Sequence, residues 1–192
     1  MKRSSEQKII EQIKDGDAAK FRLLVDEYKT VSFSLACSII KNEQDAEDVL
    51  QEAFIKAFQG LKTFNFQSSF STWLYRIVVN QCRTRYAKQK SRNEILHHEE
   101  NFSADLETEN DPLKLLLEEE RKQLVGKVMC QMSSEEALML QLYYLAELSV
   151  AEMQEITRFS ESKIKVSLFR ARKSFKKKLV ETYGKDYERT RY

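Results

Sequence analysis

The sequence predicts an all-α chain: two small helical domains joined by a flexible acidic linker. Three observations lead there. In 192 residues there are four Gly and one Pro, so little interrupts helices in a chain rich in Leu, Glu, Lys, Ala and Gln. Apolar residues recur at i, i+3, i+4, i+7 over long windows and do not alternate. Charge is segregated behind a net of +2. Arg76 to Arg92 holds six basic residues and no acidic one, Glu94 to Lys122 ten acidic against three basic, and Arg158 to Lys178 nine basic with only Glu161. Two basic blocks flanking an acidic one suggest two polyanion-binding surfaces on a tether.

The elements follow in order. Ser5 to Ile13 forms a short amphipathic helix with Ile9, Ile10 and Ile13 on one face. Asp15-Gly16-Asp17 breaks it, and Asp17 is placed to cap a helix from about Ala18 to Ile40, striped by Phe21, Leu24, Val25, Tyr28, Val31, Leu35 and Ile39. After Asn42, Asp45 opens a third helix. Ala46, Val49, Leu50, Ala53, Phe54, Ala57, Phe58 and Leu61 form an unbroken core-facing stripe, while Asp45, Asp48 and Glu52 stack their carboxylates on the opposite side. That acidic face fits either solvent or a basic partner. Gly60 weakens the last turn.

Lys62 to Phe70 is a loop with three phenylalanines, and Ser71 is placed to cap the next helix. Trp73, Leu74, Ile77, Val78, Gln81 and Cys82 share that helix with a polar face of Arg76, Asn80, Arg83 and Thr84. Arg85, Lys88 and Arg92 continue the positive charge. Rings leading into a basic helix suit single-stranded nucleic acid, on which bases stack while cations track phosphates. The same Phe64, Phe66, Phe70 and Trp73 would equally plug a small core.

Asn93 to Asp111 is acidic, polar and without periodicity, as a linker is. His97 and His98 are adjacent, so they face different ways, and with no Cys near they make no ligand set. Asp111-Pro112 starts a helix near Leu113. Ser133-Ser134-Glu135-Glu136 and Ser149-Val150-Ala151-Glu152 are both capping boxes. The first opens a helix with Ala137, Leu138, Leu142, Leu145 and Ala146 inward; the second opens a short one with Met153 and Ile156. After Thr157-Arg158-Phe159, Ser160 caps a third helix that buries Ile164, Leu168, Ala171, Phe175 and Leu179. Short helix, tight turn and long basic helix make a helix-turn-helix whose last member suits the major groove.

Some function classes drop out. No Gly-rich phosphate loop, nucleophile–base pair or metal-ligand cluster is visible, so no enzyme, cofactor or metal is expected. Asp45, Asp48 and Glu52 on one helix face are too few for a Mg²⁺ site. Cys37, Cys82 and Cys130 are widely spaced and read as reduced thiols. With no apolar leader and no window of 18 apolar residues, a cytoplasmic protein is expected.

Three stretches resemble the extracytoplasmic-function (group IV) sigma factors of bacterial RNA polymerase. Asp45 to Glu52 (DAEDVLQE) is similar to the family's DAED-LVQE helix. Phe70 to Asn80 (FSTWLYRIVVN) is similar to its TWLyrIarN segment, and Ser160 to Arg172 (SESKIKVSLFRAR) to its SegTVKsrlhRAR helix. The resemblance implies a sigma-2 domain over 1–92, a linker over 93–112, a sigma-4 helix-turn-helix domain over 113–180 and a tail over 181–192. It implies core polymerase docking through Asp45, Asp48, Gln51 and Glu52. The −10 element would be read and melted by Phe64, Phe66, Phe70, Trp73, Arg76, Asn80 and Arg83. The −35 element would be read by Ser160, Ser162, Lys163, Lys165, Val166, Ser167, Phe169, Arg170 and Lys173. Implied partners are core RNA polymerase, through its β′ clamp helices and β flap, promoter DNA and an anti-sigma factor, with no membrane insertion. A stand-alone helix-turn-helix regulator is the alternative; it would have no need of the acidic face. Two departures stand out. Thr157-Arg158-Phe159 replaces the family's Leu-Gly-Ile, which leaves Arg158 to take a positive φ. Val166-Ser167-Leu168-Phe169 replaces Ser-Arg-Leu-His, so no −35 sequence carries over.

Overall fold

The structure, a computed structural model, describes residues 3–91 and 112–184. Every regular element among them is helical: α1 (Arg3–Lys14), α2 (Phe21–Ile40), α3 (Glu43–Gly60), α4 (Phe70–Ser91), α5 (Pro112–Cys130), α6 (Ser134–Leu140), α7 (Val150–Thr157) and α8 (Glu161–Tyr183). The linker expected from Asn93 and the His97–His98 pair lie outside the described residues. At the C-terminal end α8 continues to Tyr183.

The first unit is a bundle of α2, α3 and α4 with α1 across one end. Leu24, Leu35 and Ile39 of α2 pack with Val49 and Phe54 of α3 and with Leu74 and Val78 of α4, all buried. Ala46, Ala53 and Ala57 are fully buried on α3, and their small side chains let the neighbouring helices approach. Ile10 and Ile13 dock α1, and Tyr28 donates a hydrogen bond to the Glu6 carboxylate. At the other end of the stripe, Phe58 is 41 % exposed and meets Phe21 edge-on, with ring centroids 5.0 Å apart. The expectation that it faces the core is corrected: the 3.6-residue period carries it to the margin of the contact face.

Cap chemistry sets the ends of the elements. α3 starts at Glu43, because Asn42 is extended and its side chain accepts from the Asp45 amide at 2.8 Å. Asp17 makes no side-chain cap; one 3₁₀ turn leads into α2 and Asp17 pairs with Lys20 at 3.2 Å. For α4 the capping hydroxyl is Ser69, which accepts from the Thr72 amide at 3.1 Å, and not Ser71. Gly60 has a tertiary reason: a Cβ there would lie 3.2 Å from the Trp73 indole.

In the second unit both predicted capping boxes form, at Ser133/Glu136 and Ser149/Glu152, and Ser160 caps α8. Beyond α6 the chain winds into a π-helical turn over Gln141–Leu145 in place of the regular helix expected there. Ile164, Leu168 and Ala171 of α8 bury as predicted, while Phe175 is half-buried. The two units share one core: Leu138, Met139, Leu142, Met153, Ile156 and Ile164 are continuous with the apolar cluster of the first. Polar ties reinforce that contact. Lys41 Nζ donates to the Met129 carbonyl at 3.0 Å, Ser134 Oγ to the Ile39 carbonyl at 3.1 Å, and Thr72 Oγ1 to the Glu152 carboxylate at 3.2 Å.

Candidate nucleic-acid interface

The acidic face of α3 stands on α4. Arg85 reaches back to place its guanidinium 2.6 Å from Asp45 and 3.7 Å from Asp48. Its hydrogen bond to Asp45 holds the guanidinium pKa above its ordinary value. Gln81 donates to Glu52 at 3.3 Å and accepts from Lys56 at 2.7 Å. Arg85 is therefore paired with the α3 carboxylates, where the sequence had it continuing the basic stripe of α4. Asp45 is largely consumed in that pair, its side chain 28 % exposed, whereas Asp48 is 58 % exposed and Gln51 and Glu52 also face out.

The aromatic loop divides by burial. Phe64 and Phe70 are 4 % and 1 % exposed, and they interlock with the half-buried Trp73 at centroid distances of 5.0–6.0 Å. The expectation that these two rings stack on bases is corrected: they are core, and removing them from it would forfeit a large apolar burial. Phe66 is different. It is exposed, and it sits at φ +59, a conformation that costs a bulky residue roughly 1–2 kcal/mol. Lys14 of α1 donates to the Phe64 carbonyl and lies 4.8 Å from the Phe66 ring centroid. Nothing in the local sequence pairs residues fifty positions apart, so Lys14 carries no sequence signal.

From this loop α4 carries its polar face outward. Asn80 is exposed, and its amide makes no hydrogen bond among the described residues; Thr84 Oγ1 donates to the Asn80 carbonyl at 2.9 Å. Arg76 and Arg83 are half-buried. Arg83 donates to the Thr157 carbonyl at 3.3 Å and lies 6.0 Å from the Phe159 ring, so the turn of the helix-turn-helix rests on this face. Trp73, Arg76, Asn80 and Arg83 thus lie on one side of α4, with Arg83 engaged by the second unit.

The helix-turn-helix itself forms as read. α7 ends in Arg158 at φ +64, ψ +19, the left-handed residue anticipated where Gly is absent. The Thr157 hydroxyl accepts from the Phe159 amide at 3.2 Å and donates to the Met153 carbonyl at 2.7 Å, which closes the turn. On α8, Ser162, Lys165, Val166, Phe169, Arg170 and Lys173 are exposed, Phe169 to 67 %. The face is not uniformly open. Glu135 of α6 sits 3.7 Å from Lys163 and accepts from Ser167 at 3.2 Å, and the Lys163 ammonium caps the Phe159 ring. Ser160 is spent as the N-cap. Glu135, Phe159 and Arg85 are partners that only tertiary contact identifies.

Between α2, α5, the π-helical turn and α8 lies an apolar cleft of about 620 Å³, lined among others by Cys37, Met129, Cys130, Leu145 and Phe175, with Lys41 and Arg172 at its wall. No described helix is long and apolar enough to cross a membrane, and no group of metal-ligating side chains occurs among the described residues.

A family model described as Sigma-70 region 2 matches residues 24–92. The ECF RNA polymerase sigma factor SigW of Bacillus subtilis is 30 % identical over 181 residues, 90 % of this chain and 95 % of that protein. The ECF RNA polymerase sigma-E factor of Escherichia coli K12 is 32 % identical over 181 residues, covering 91 % and 94 %. Among solved structures, the sigma factor RpoE of Bartonella quintana, in complex with the anti-sigma factor NepR, superposes with a TM-score of 0.64 at 19 % identity. That match covers 81 % of this chain and 96 % of the other. CnrH in complex with the cytosolic domain of CnrY gives 0.60 at 21 % identity over 91 % and 96 %. At such identities the two likenesses speak to the fold alone.

Proposed function

The chain belongs to the extracytoplasmic-function RNA polymerase sigma factors, and from that premise we propose how its two units divide promoter recognition. It is a transcription initiation factor, a specificity subunit for the polymerase. Residues 1–92 form the unit that docks core polymerase and reads the −10 element, 93–112 the tether, and 113–180 the unit that reads the −35 element.

Asp48, Gln51 and Glu52 dock the β′ clamp helices, with Asp45 and Arg85 as the bracket that aims them. Asn80 reads a base edge, since its amide both donates and accepts. Phe66 meets an unstacked base beside it, with Trp73, Arg76 and Arg83 flanking. Extruding a base costs a few kcal/mol, offset by stacking and hydrogen bonding in the pocket. Lys163, Lys165, Val166, Ser167, Phe169, Arg170 and Lys173 enter the −35 major groove, and the β flap meets the same unit. Contact of Arg83 with DNA requires it to leave Thr157 and Phe159, so promoter binding separates α4 from the α7–α8 turn. An anti-sigma factor is a further partner. That proposal is supported by the complexes named for the two structural relatives and by the apolar cleft between the units.

The single observation that carries this reading is the adjoining pair of faces on the first unit. A carboxylate row on α3 is braced by α4, and an exposed Asn80 on that same α4 follows the aromatic loop. In vitro transcription with purified core polymerase over a promoter library tests it. Transcripts should start from templates sharing two spaced elements. Transcription independent of the added chain would reject the proposal.

A further inference from the structure

Phe66 poses a question that docking and base reading leave unanswered. It is a large apolar residue at the tip of an exposed loop, held in a left-handed conformation that glycine would adopt without strain. Phe66 is 37 % exposed, and Phe64, Phe70 and Trp73 close the core beneath it. Lys14 lies over this ring. One ammonium has three protons to give. It donates to the Phe64 carbonyl, two residues before Phe66, and stands over the Phe66 ring at 4.8 Å and the Phe64 ring at 6.0 Å. Lys14 is itself half-buried in the last turn of α1, next to the core residue Ile13, so its stem is anchored and its charge is aimed. The Phe64 ring backs Phe66 with centroids 5.0 Å apart.

We propose that Lys14 is a positioning residue for promoter melting. By bridging the Phe64 carbonyl and the Phe66 ring, it fixes that ring as a shelf on which one unpaired DNA base stacks. A cation against one side of an aromatic ring is held by the ring's quadrupole. The part of the ring left exposed is then presented at no further ordering cost, which favours capture of a base already leaving the duplex. The inference rests on reading the loop as the −10 surface and adds to it a residue from α1, outside the motifs that identify the family.

The test uses holoenzyme reconstituted from core polymerase and the full chain. It measures the lifetime of open complexes on a promoter carrying 2-aminopurine in the −10 element, after challenge with heparin. Stacking of one base is worth about 1–3 kcal/mol, which corresponds to roughly 5- to 150-fold in lifetime; Lys14→Met and Phe66→Gly should both fall in the lower part of that range. Lys14→Arg should recover the lifetime to within about twofold, since a guanidinium also stacks and donates. The double variant should match Phe66→Gly alone, because the lysine acts through the ring. Melting temperatures separate this from a structural role: Phe66→Gly relieves the positive φ but gives up the ring's contact with Phe64, so the decisive variant is Lys14→Met, which should melt close to the parent. Lifetimes like the parent's for Lys14→Met, or a double variant with the product of the single effects, would overturn the proposal. Asn80→Ala distinguishes the two failures. If it shortens the lifetime while Lys14→Met and Phe66→Gly do not, the shelf is wrong and the −10 surface stands. If it too has no effect, the surface reading falls and the shelf with it.

Discussion

Replacing Arg158 by glycine should stabilise the protein, and the structure gives the size. Arg158 ends α7 at φ +64, ψ +19. An L-residue there carries about 1–2 kcal/mol of Cβ–carbonyl conflict that glycine lacks. Glycine returns part of the gain, about 0.4–1 kcal/mol, through the extra freedom of its unfolded chain. The Arg158 side chain is exposed, so its removal loses little packing. The net is a stabilisation of about 0.5–1 kcal/mol, which for a chain of this size is a rise of about 2–4 °C in Tm per kcal/mol. Lys41 is the internal control. It has nearly the same backbone, φ +60 and ψ +18, but its ammonium donates to the Met129 carbonyl at 3.0 Å. Lys41→Gly relieves the same strain yet loses a charged hydrogen bond worth about 1.5–3 kcal/mol, so it should destabilise. Urea titrations followed by far-UV circular dichroism, compared at constant m, report both. If Arg158→Gly lowered the midpoint, or if the two variants shifted together, backbone strain would not be the controlling term.

Further expectations concern the interfaces and the thiols. Reversing charge at Asp48 and Glu52 should abolish pull-down with core polymerase while leaving helix content unchanged; binding at parental affinity would reject the clamp assignment. Asn80→Ala should cost about 1–3 kcal/mol at one −10 position, and an equal loss on every promoter would make Asn80 a scaffold residue. Neutralising Lys165, Arg170 and Lys173 together should weaken −35 binding and flatten its dependence on salt, by about one unit of log–log slope for each phosphate left without its cation. An unchanged slope would take that face off the DNA. Burial pushes the Cys82 thiol from near 9 up to about 12. Between those values the unfolded chain has released a proton that the folded one retains, so stability falls as pH rises, by up to about 1.4 kcal/mol per pH unit for this thiol. Cys82→Ala should lose that share of the slope in urea titrations between pH 9 and 10.5; parallel slopes would show that Cys82 is not sealed from water.

The elements legible in the sequence were those whose signals are local. A serine followed three residues later by glutamate fixed the starts of α6 and α7, because both capping bonds form within one turn. The left-handed Arg158 followed from the absence of a glycine in a turn that needs one. Two starts differ from the sequence expectation although their caps are also local: Asn42 caps α3, which therefore opens before Asp45, and Ser69 caps α4 in place of Ser71. Three phenylalanines of one loop look alike in the sequence, yet two are core and one is surface.

By itself, then, the sequence determined the helical class, the order of elements, the buried stripes and the family, since periodicity, caps and motif spacing depend on neighbours along the chain. Tertiary structure decided which charged and aromatic groups remain available. Arg85 turns back to the α3 carboxylates, Arg83 lies under the helix-turn-helix turn, Glu135 occupies Lys163 and Ser167, and Lys14 takes the ring of Phe66. The physical reason is range. A hydrogen bond or a ring contact acts over a few ångströms of space, and residues tens of positions apart come within that range only when the core between them has closed.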